Sequence, residues 1–413
     1  MTTNPRQPTL QARRDAWVEI DLAAIEHNAK TIRGIVNNAV GLMAIVKADA
    51  YGHGAAMIAP VLEASGIAML GVASIDEAIH LREAGIQMPI LVIGIVPHWS
   101  VQYAIQYDIQ LTVFSADHLQ SLEKMAVHQK KPVSIHVKVD TGMHRIGVAW
   151  EEAAAFIGAC QQNNAVVVAG MFTHLKDSKN PQTNQAQLAR WQAVCDELAV
   201  LPKYVHHSNS GYIINTLHTQ NQSGPVPESL ARVGLALYGY PHDIPIHSAA
   251  PNGTDHNRRG YTLKPALSLK ARIIRLETVP ENTSVGYGDT YVTPTGSPTV
   301  IATVPIGYAD GLFRGLSGKI EGFLNGKRIA QIGLITMDQL MFDVTDVPEC
   351  RTGQTITLIG EHLMQPDALV HNTVYQNKKE ALWLDTWANL LETVEYELMC
   401  SLRVRLPKIY TRH

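Results

Sequence analysis

The sequence predicts an α/β protein, a (β/α)8 TIM-like barrel followed by a mainly β C-terminal domain. Three observations lead there. From residue 17 to about 240, short apolar, β-branched runs alternate with amphipathic helical segments. Eight such units fit into that span, the number a barrel needs. After a polar stretch at 242–262 the alternation stops, and strand-like segments follow with few helices between them.

The eight strand candidates are 41–46, 68–73, 89–94, 109–114, 133–139, 166–172, 203–208 and 231–237. Those that are apolar at nearly every position suit parallel strands buried on both faces. Segments between them, such as IDEAIHLREAG and TNQAQLARWQAVCDELA, repeat apolar residues every three or four positions, which marks one helical face. An open doubly wound sheet is the alternative arrangement. The barrel is assigned to residues 15–262, with 1–14 a tail or an added strand. The β domain is assigned to 263–413. In that domain Asn325-Gly326 marks a tight hairpin turn. A long helix is expected only at about 379–393, and 363–385 reads as an inserted loop with some helix.

Composition narrows the functional classes. A formal net charge of −3 gives no reason to expect nucleic acid or an anionic membrane as partner. No uninterrupted apolar run reaches bilayer length. The N-terminus has two arginines but no apolar stretch behind them, so no secretion signal is read and a cytoplasmic protein is expected. Cys160, Cys195, Cys350 and Cys400 are widely spaced without a CxxC pair, the pattern of reduced core residues, and no metal site is expected.

In a barrel, chemistry sits where the strands end. Lys47 follows the first apolar run, in the string VKADAYGHG. An amine at the end of a buried strand is costly unless it is used, and a desolvated amine is a nucleophile toward an aldehyde. Spacing alone leaves a lysine snorkelling out of the strand end as an equal reading.

The string VKADAYGHG closely resembles the cofactor-lysine motif of the alanine racemases. The resemblance continues in order through VKVDTGMHRIG (137–147), FTH (172–174), SNSG (208–211), RVGLALYG (232–239), VGYGDTY (285–291), PIGYADG (305–311), ITMDQ (335–339) and YELMC…RVRLPKIY (396–410). The family's plan is a barrel that binds pyridoxal 5'-phosphate, followed by a β domain. The resemblance implies a two-base interconversion of L- and D-alanine that supplies D-alanine for peptidoglycan. Lys47 would hold the cofactor as a Schiff base and serve one face of the substrate α-carbon, with Tyr287 serving the other. His174 matches the family histidine near that tyrosine. Arg232 matches the arginine facing the pyridine nitrogen, where a cation disfavours ring protonation. Tyr51, Asn209, Ser210, Gly234, Leu235 and Tyr396 match the cofactor-binding positions, mainly around the phosphate. Arg145, Met337 and Tyr308 match substrate contacts, and Lys138 matches a lysine that is often carbamylated. The family further implies a homodimer whose active sites are shared between subunits.

Three positions depart from the commonest family pattern: Ser208 for a frequent Ala, Thr336 for Cys and Lys408 for Arg. None is a proposed acid or base. A pyridoxal-phosphate decarboxylase of basic amino acids shares the two-domain plan, but Arg232 and VGYGDTY argue against it. A non-catalytic cofactor-binding protein would need Lys47 without Tyr287. A serine or broad-specificity racemase stays open, because one hydroxyl or methylene in a pocket is worth only about 1–3 kcal/mol.

Overall fold

The computed structural model describes residues 14–178, 180–217, 226–240, 262–363, 379–402 and 405–412. The chain divides into two compact units. One is residues 22–265; the other joins the residues up to 21 to those from 266 onward. None of the described helices is long and apolar enough to cross a membrane.

Strand β1 (Ala16–Asp21) opens the described chain and belongs to the second unit. The first unit is built on β2 (Gly41–Ile45), β3 (Met69–Val72), β4 (Ile90–Val92), β5 (Gln110–Val113), β6 (Val133–Asp140), β7 (Val148–Ala149), β8 (Val166–Phe172), β9 (Tyr204–His206) and β10 (Leu230–Val233). Each of the eight expected segments contains a strand. The strands run parallel in the order β10-β2-β3-β4-β5-β6-β8-β9, with the short β7 added beside β6, and make a nearly closed barrel. Met43, Ile45, Met69, Leu91 and Leu230 form one buried cluster among these strands.

The helices between them start where the sequence supplies caps. Ser74 accepts from the Glu77 N–H ahead of the helix Ile75–Glu83, and Ser115 accepts from His118 N–H ahead of Ala116–Gln129. Asn180 caps Pro181–Glu197, whose first residue is a proline that has no N–H to leave unsatisfied.

The barrel's two end strands, β9 and β10, share no ladder among the described residues. Ser229 closes this seam. Its N–H donates to Val205 O (2.9 Å), its hydroxyl donates to Lys203 O (2.7 Å), and Val205 N–H donates to that hydroxyl (2.9 Å).

The second unit adds β11 (Leu267–Arg272), β12 (Arg275–Val279), β13 (Thr299–Val304), β14 (Glu321–Leu324), β15 (Lys327–Ile332), β16 (Leu340–Asp343), β17 (Thr355–Leu363), β18 (Lys379–Leu382) and β19 (Lys408–Thr411). The sheet order is β12-β13-β16-β15-β14-β17-β11-β1-β19, with β18 beside β17. Asn325 (φ 49°) and Gly326 (φ 77°) make the expected turn between β14 and β15, both in the left-handed region that a two-residue hairpin of this hand requires.

Several expectations need correction. Residues 16–21 were assigned to the barrel; instead β1 lies between β11, antiparallel, and β19, parallel. Its partners lie some 250 and 390 residues away, so nothing local reveals its sheet. The strand expected at 231–237 stops at Val233, and Leu235–Tyr238 is a 3-10 turn. The helix expected over 379–393 covers only Leu384–Leu390, because 379–382 is β18. Most of the polar stretch 242–262 and of the segment 363–385 lies outside the described residues.

Ile20 is fully buried between Leu267 and Tyr410 on the neighbouring strands. Ile20→Ala should cost about 2–5 kcal/mol. Hydrogen exchange should show the loss at the amides of 267–272 and 408–411, with those of 41–46 unchanged. Equal loosening of both sets would contradict the assignment of β1 to the second unit.

Candidate functional site

Lys47 follows Val46 at the end of β2, and the chain then does something its sequence does not advertise. Ala48, Asp49, Ala50 and Tyr51 all have φ of 52–56°, one turn of left-handed helix made without glycine. For L-residues this hand costs roughly 1–2 kcal/mol per residue, so the surroundings must impose it. The carboxylate of Glu77 accepts from Ala48 N–H and from Ala73 N–H, both at 2.7 Å, which ties the turn to the end of β3. Asp49 Oδ1 accepts from Ala55 N–H (2.8 Å), and Gly52 and Gly54 carry the chain out with φ of 78° and 89°. Lys47 is thus held at the rim, half-buried, on a strained but clamped turn.

Arg232, on β10, is buried. Its guanidinium donates to the carbonyls of Thr173 (2.7 Å), His206 (3.0 Å) and His207 (3.1 Å), and to His206 Nδ1 (2.9 Å). Burial brings its pKa down to about 10, against the opposing pull of Glu228, so it stays a cation at neutral pH. Because arginine only donates, His206 Nδ1 must accept, and its proton sits on Nε2. That proton faces His136 Nδ1 at 2.8 Å, and His136 Nε2 in turn faces Gln110 Oε1 at 2.8 Å. One directed chain therefore runs from Arg232 to Gln110, with both imidazoles neutral. It crosses β8 at Gly170, where a Cβ would come within 2.4 Å of His136 Nδ1.

Around this chain gather other expected residues of the barrel. Burial, then Arg232, Lys138, Arg145 and Lys47, push the His174 pKa down to about 3. Burial, then Arg232 and Arg145, push Lys138 down to about 8, with Asp140 pulling the other way. Lys138 lies over the Phe172 ring at 5.1 Å, and that ring also carries Arg232 at 5.5 Å. The structure therefore brings Lys47, Lys138, Arg145, His174 and Arg232 into one electropositive site, able to attract and orient an anionic ligand.

A second group suits a phosphate monoester. Asn209 caps a short helical turn by accepting from Tyr212 N–H (2.9 Å), and its amide donates to Leu175 O (3.2 Å). Ser210 Oγ accepts from Gly234 N–H (2.9 Å). A Cβ on Gly234 would stand 3.1 Å from the Tyr51 hydroxyl, so the missing side chain keeps room beside that hydroxyl. Leu235 follows directly, at the start of its 3-10 turn.

The remaining expected residues lie in the second unit. Tyr287 sits between Gly286 (φ 81°) and Gly288 (φ 70°) in a loop closed by Val285 N–H on Tyr291 O (3.0 Å). Tyr308 N–H donates to Thr336 O and Ala309 N–H to Met337 O, both at 3.0 Å, which sets Tyr308 beside Met337. Asp310 fixes that corner. It accepts from Gly307 N–H, binds Arg14 through both oxygens and lies 3.4 Å from Arg405, which also pairs with Asp338. Tyr287, Met337 and Tyr308 are 72, 53 and 41% exposed, far more than large side chains kept for packing. Tyr396 is half-buried in the helix Glu395–Ser401.

Sequence reading missed Glu77, Gln110, His136, His206 and Glu228. A signal existed for two of them. In β6 the polar residues Ser134, His136, Lys138 and Asp140 recur at the strand period between apolar ones, and His206 ends the strand that leads to Asn209. Glu77 read as an ordinary charge in the first turn of a helix.

Two family models match the chain: alanine racemase, N-terminal domain, over residues 20–242, and alanine racemase, C-terminal domain, over 266–410. A curated alanine racemase of Nostoc sp. is 34% identical, covering 95% of each chain. The crystal structure of alanine racemase from E. faecalis is 34% identical with a TM-score of 0.82, covering 96% of this chain and 98% of that one. A histidine racemase structure from Leuconostoc mesenteroides subsp. sake is 26% identical with a TM-score of 0.82, covering 99% and 100%.

The buried imidazoles make the barrel acid-sensitive. The His136 pKa is about 3 in the fold, from burial first and then Arg232, against about 6.5 unfolded. Between those values the unfolded chain binds the extra proton, so stability falls as pH drops from about 6.5 toward 3. His136→Gln should flatten this slope by about 1.4 kcal/mol per pH unit near pH 5, measured by denaturant unfolding across pH. An unchanged slope would mean that His136 is protonated in the fold.

Proposed function

The chain belongs to the alanine racemase family, and from that premise we infer how its residues carry out the interconversion of L- and D-alanine. The observation that carries the reading is the buried Arg232 cation, which sits in one electropositive site with Lys47 and His174.

The residues fit pyridoxal 5'-phosphate. Lys47 would hold its aldehyde carbon. The phosphate would take Ser210, Tyr51 and the backbone at Gly234 and Leu235, with Asn209 holding the turn and Tyr396 a further contact. When bound, the cofactor supplies an electron sink that makes the substrate α-proton labile. Arg232 would hold the ring nitrogen and, as a cation, keep a proton off it, which would restrain the sink and disfavour side reactions such as transamination. Lys47 Nζ moves the α-proton on one face and the Tyr287 hydroxyl on the other, which is what inversion requires. Arg232 Nη2 stands 3.4 Å from His174 Nδ1 and can only donate, so the neutral His174 keeps its proton on Nε2, from where it would donate a hydrogen bond to the Tyr287 oxygen and ease the loss of its proton. Arg145 takes the substrate carboxylate, and Tyr308 and Met337 bound the pocket. Lys138, its pKa near 8, has enough neutral amine for carbamylation, which would give Arg145 an anionic partner.

The exposure of Tyr287, Tyr308 and Met337 supports a homodimer in which one protomer's second unit completes its partner's barrel site. A cytoplasmic enzyme supplying D-alanine to peptidoglycan follows from the same family reading. The likeness to a histidine racemase favours a second reading, a broader substrate range within the same chemistry.

The test is L-to-D conversion over a panel of amino acids. Alanine should turn over fastest, and a larger side chain turning over faster would favour the second reading. Borohydride reduction of the holoenzyme should fix the cofactor on Lys47 alone, read by peptide mass, and Lys47→Ala should abolish racemisation. An adduct on another lysine would end the assignment.

The shared site predicts complementation. Lys47→Ala and Tyr287→Phe homodimers should each be nearly inactive. After random subunit exchange about half of the dimers are mixed, and each mixed dimer has one intact site, so about a quarter of all sites recover. If mass confirms exchange and no activity returns, each site is built within one chain.

A further inference from the structure

The loop that carries Asn209 and Ser210 has a second anchor that the site above does not use. Glu228 lies just before β10, with its side chain only 8% exposed. Its Oε1 accepts from the N–H of His207 (3.0 Å) and of Ser208 (2.8 Å), and its Oε2 accepts from the Ser208 hydroxyl (2.5 Å). The His207 ring also faces it, Nδ1 standing 3.3 Å from Oε1.

β9 ends at His206 and has no ladder to β10 among the described residues, so a strand neighbour does not provide for the two N–H groups that Glu228 takes. Buried backbone donors must find a partner, and a carboxylate that accepts three donors is among the strongest available. The third donor is Ser208, the residue that stands here for the frequent family alanine. Glu228 is also the carboxylate whose charge acts on the buried Arg232 cation.

We propose that Glu228, with Ser208, is a positioning residue for cofactor binding. It fixes residues 207–208 so that the next turn presents Ser210 to the phosphate of pyridoxal phosphate. This rests on the reading of Ser210 as a phosphate ligand. The clasp acts through the backbone of the phosphate turn and touches neither Lys47 nor the reacting atoms. Its direct contacts are with the phosphate turn, so its loss acts most strongly at the phosphate end of the cofactor.

The test compares two ligands on the apoenzyme, pyridoxal phosphate and pyridoxal, which lacks the phosphate. Affinity is followed by absorbance or fluorescence titration, with Lys47 confirmed as the attachment point in the wild type. Glu228→Ala should weaken pyridoxal phosphate binding about tenfold or more and shift the 31P resonance of the bound cofactor, with pyridoxal changed less than threefold. Ser208→Ala should produce the same pattern at a few-fold size. Glu228→Gln, which keeps one acceptor oxygen, should recover part of the loss. If Glu228→Ala does not fold, Glu228→Gln and Ser208→Ala provide the comparison. Wild-type pyridoxal phosphate affinity in the variants, or equal loss of both ligands, would overturn the positioning role. A wild type that takes up no pyridoxal phosphate at Lys47 would instead overturn the reading of the site, and this proposal with it.

Discussion

The barrel depends on how its ends are joined. A parallel sheet closes when its last strand bonds its first, yet β9 and β10 meet without a ladder among the described residues. Side chains from three residues of one short segment, Glu228, Ser229 and Arg232, take over that bonding. A guanidinium can do this because its planar fork offers several donors to carbonyls that converge at the strand ends. Closure of the fold and placement of the candidate cofactor residues therefore depend on the same atoms. Arg232 cannot be traded for an apolar residue without opening the seam, nor for lysine without losing the fork.

The charge that this closure buries orders its neighbourhood. A cation with mostly neutral acceptors around it leaves His206 a single tautomer, and His206 fixes His136 in turn. Burial first, and then the same field, lowers the pKa values of His174 and Lys138, so groups that would ordinarily carry a proton are held ready to lose or share one. In the second unit the opposite arrangement holds. There a buried carboxylate, Asp310, is bound by Arg14 and Arg405 and shapes the corner bearing Tyr308 and Met337. Each unit thus organises its functional edge around one buried charge, positive in the barrel and negative in the β unit.

What the sequence revealed follows from the range of the forces involved. Most of the barrel strands were legible because burial on both faces favours a continuous apolar run, and β6 and β9 because they fell in the same alternation with helices. The Asn325-Gly326 hairpin was legible because its turn demands particular residues. β1 was misassigned because AWVEID satisfies the pattern of either unit, and only pairing with distant residues decides between them. The blocks around Lys47, Arg232 and Tyr287 identified the candidate chemistry. The chain from Arg232 through His206 and His136 to Gln110 was not legible, since it needs the register of four strands and the gap left by Gly170. Nor was the turn after Lys47, because alanine by itself favours the opposite hand.

That turn has a consequence for folding. Four residues in left-handed conformation set roughly 4–8 kcal/mol against the local chain, which no isolated peptide of this sequence would sustain. The turn is stable only with β3 and the helix bearing Glu77 in place to grip Ala48. Without that grip Lys47 is one amine among many on the polypeptide, with no special claim on an aldehyde. Its selectivity is a by-product of tertiary assembly, so a chain in which this packing has not formed would lack the preorganised amine on which specific cofactor capture relies.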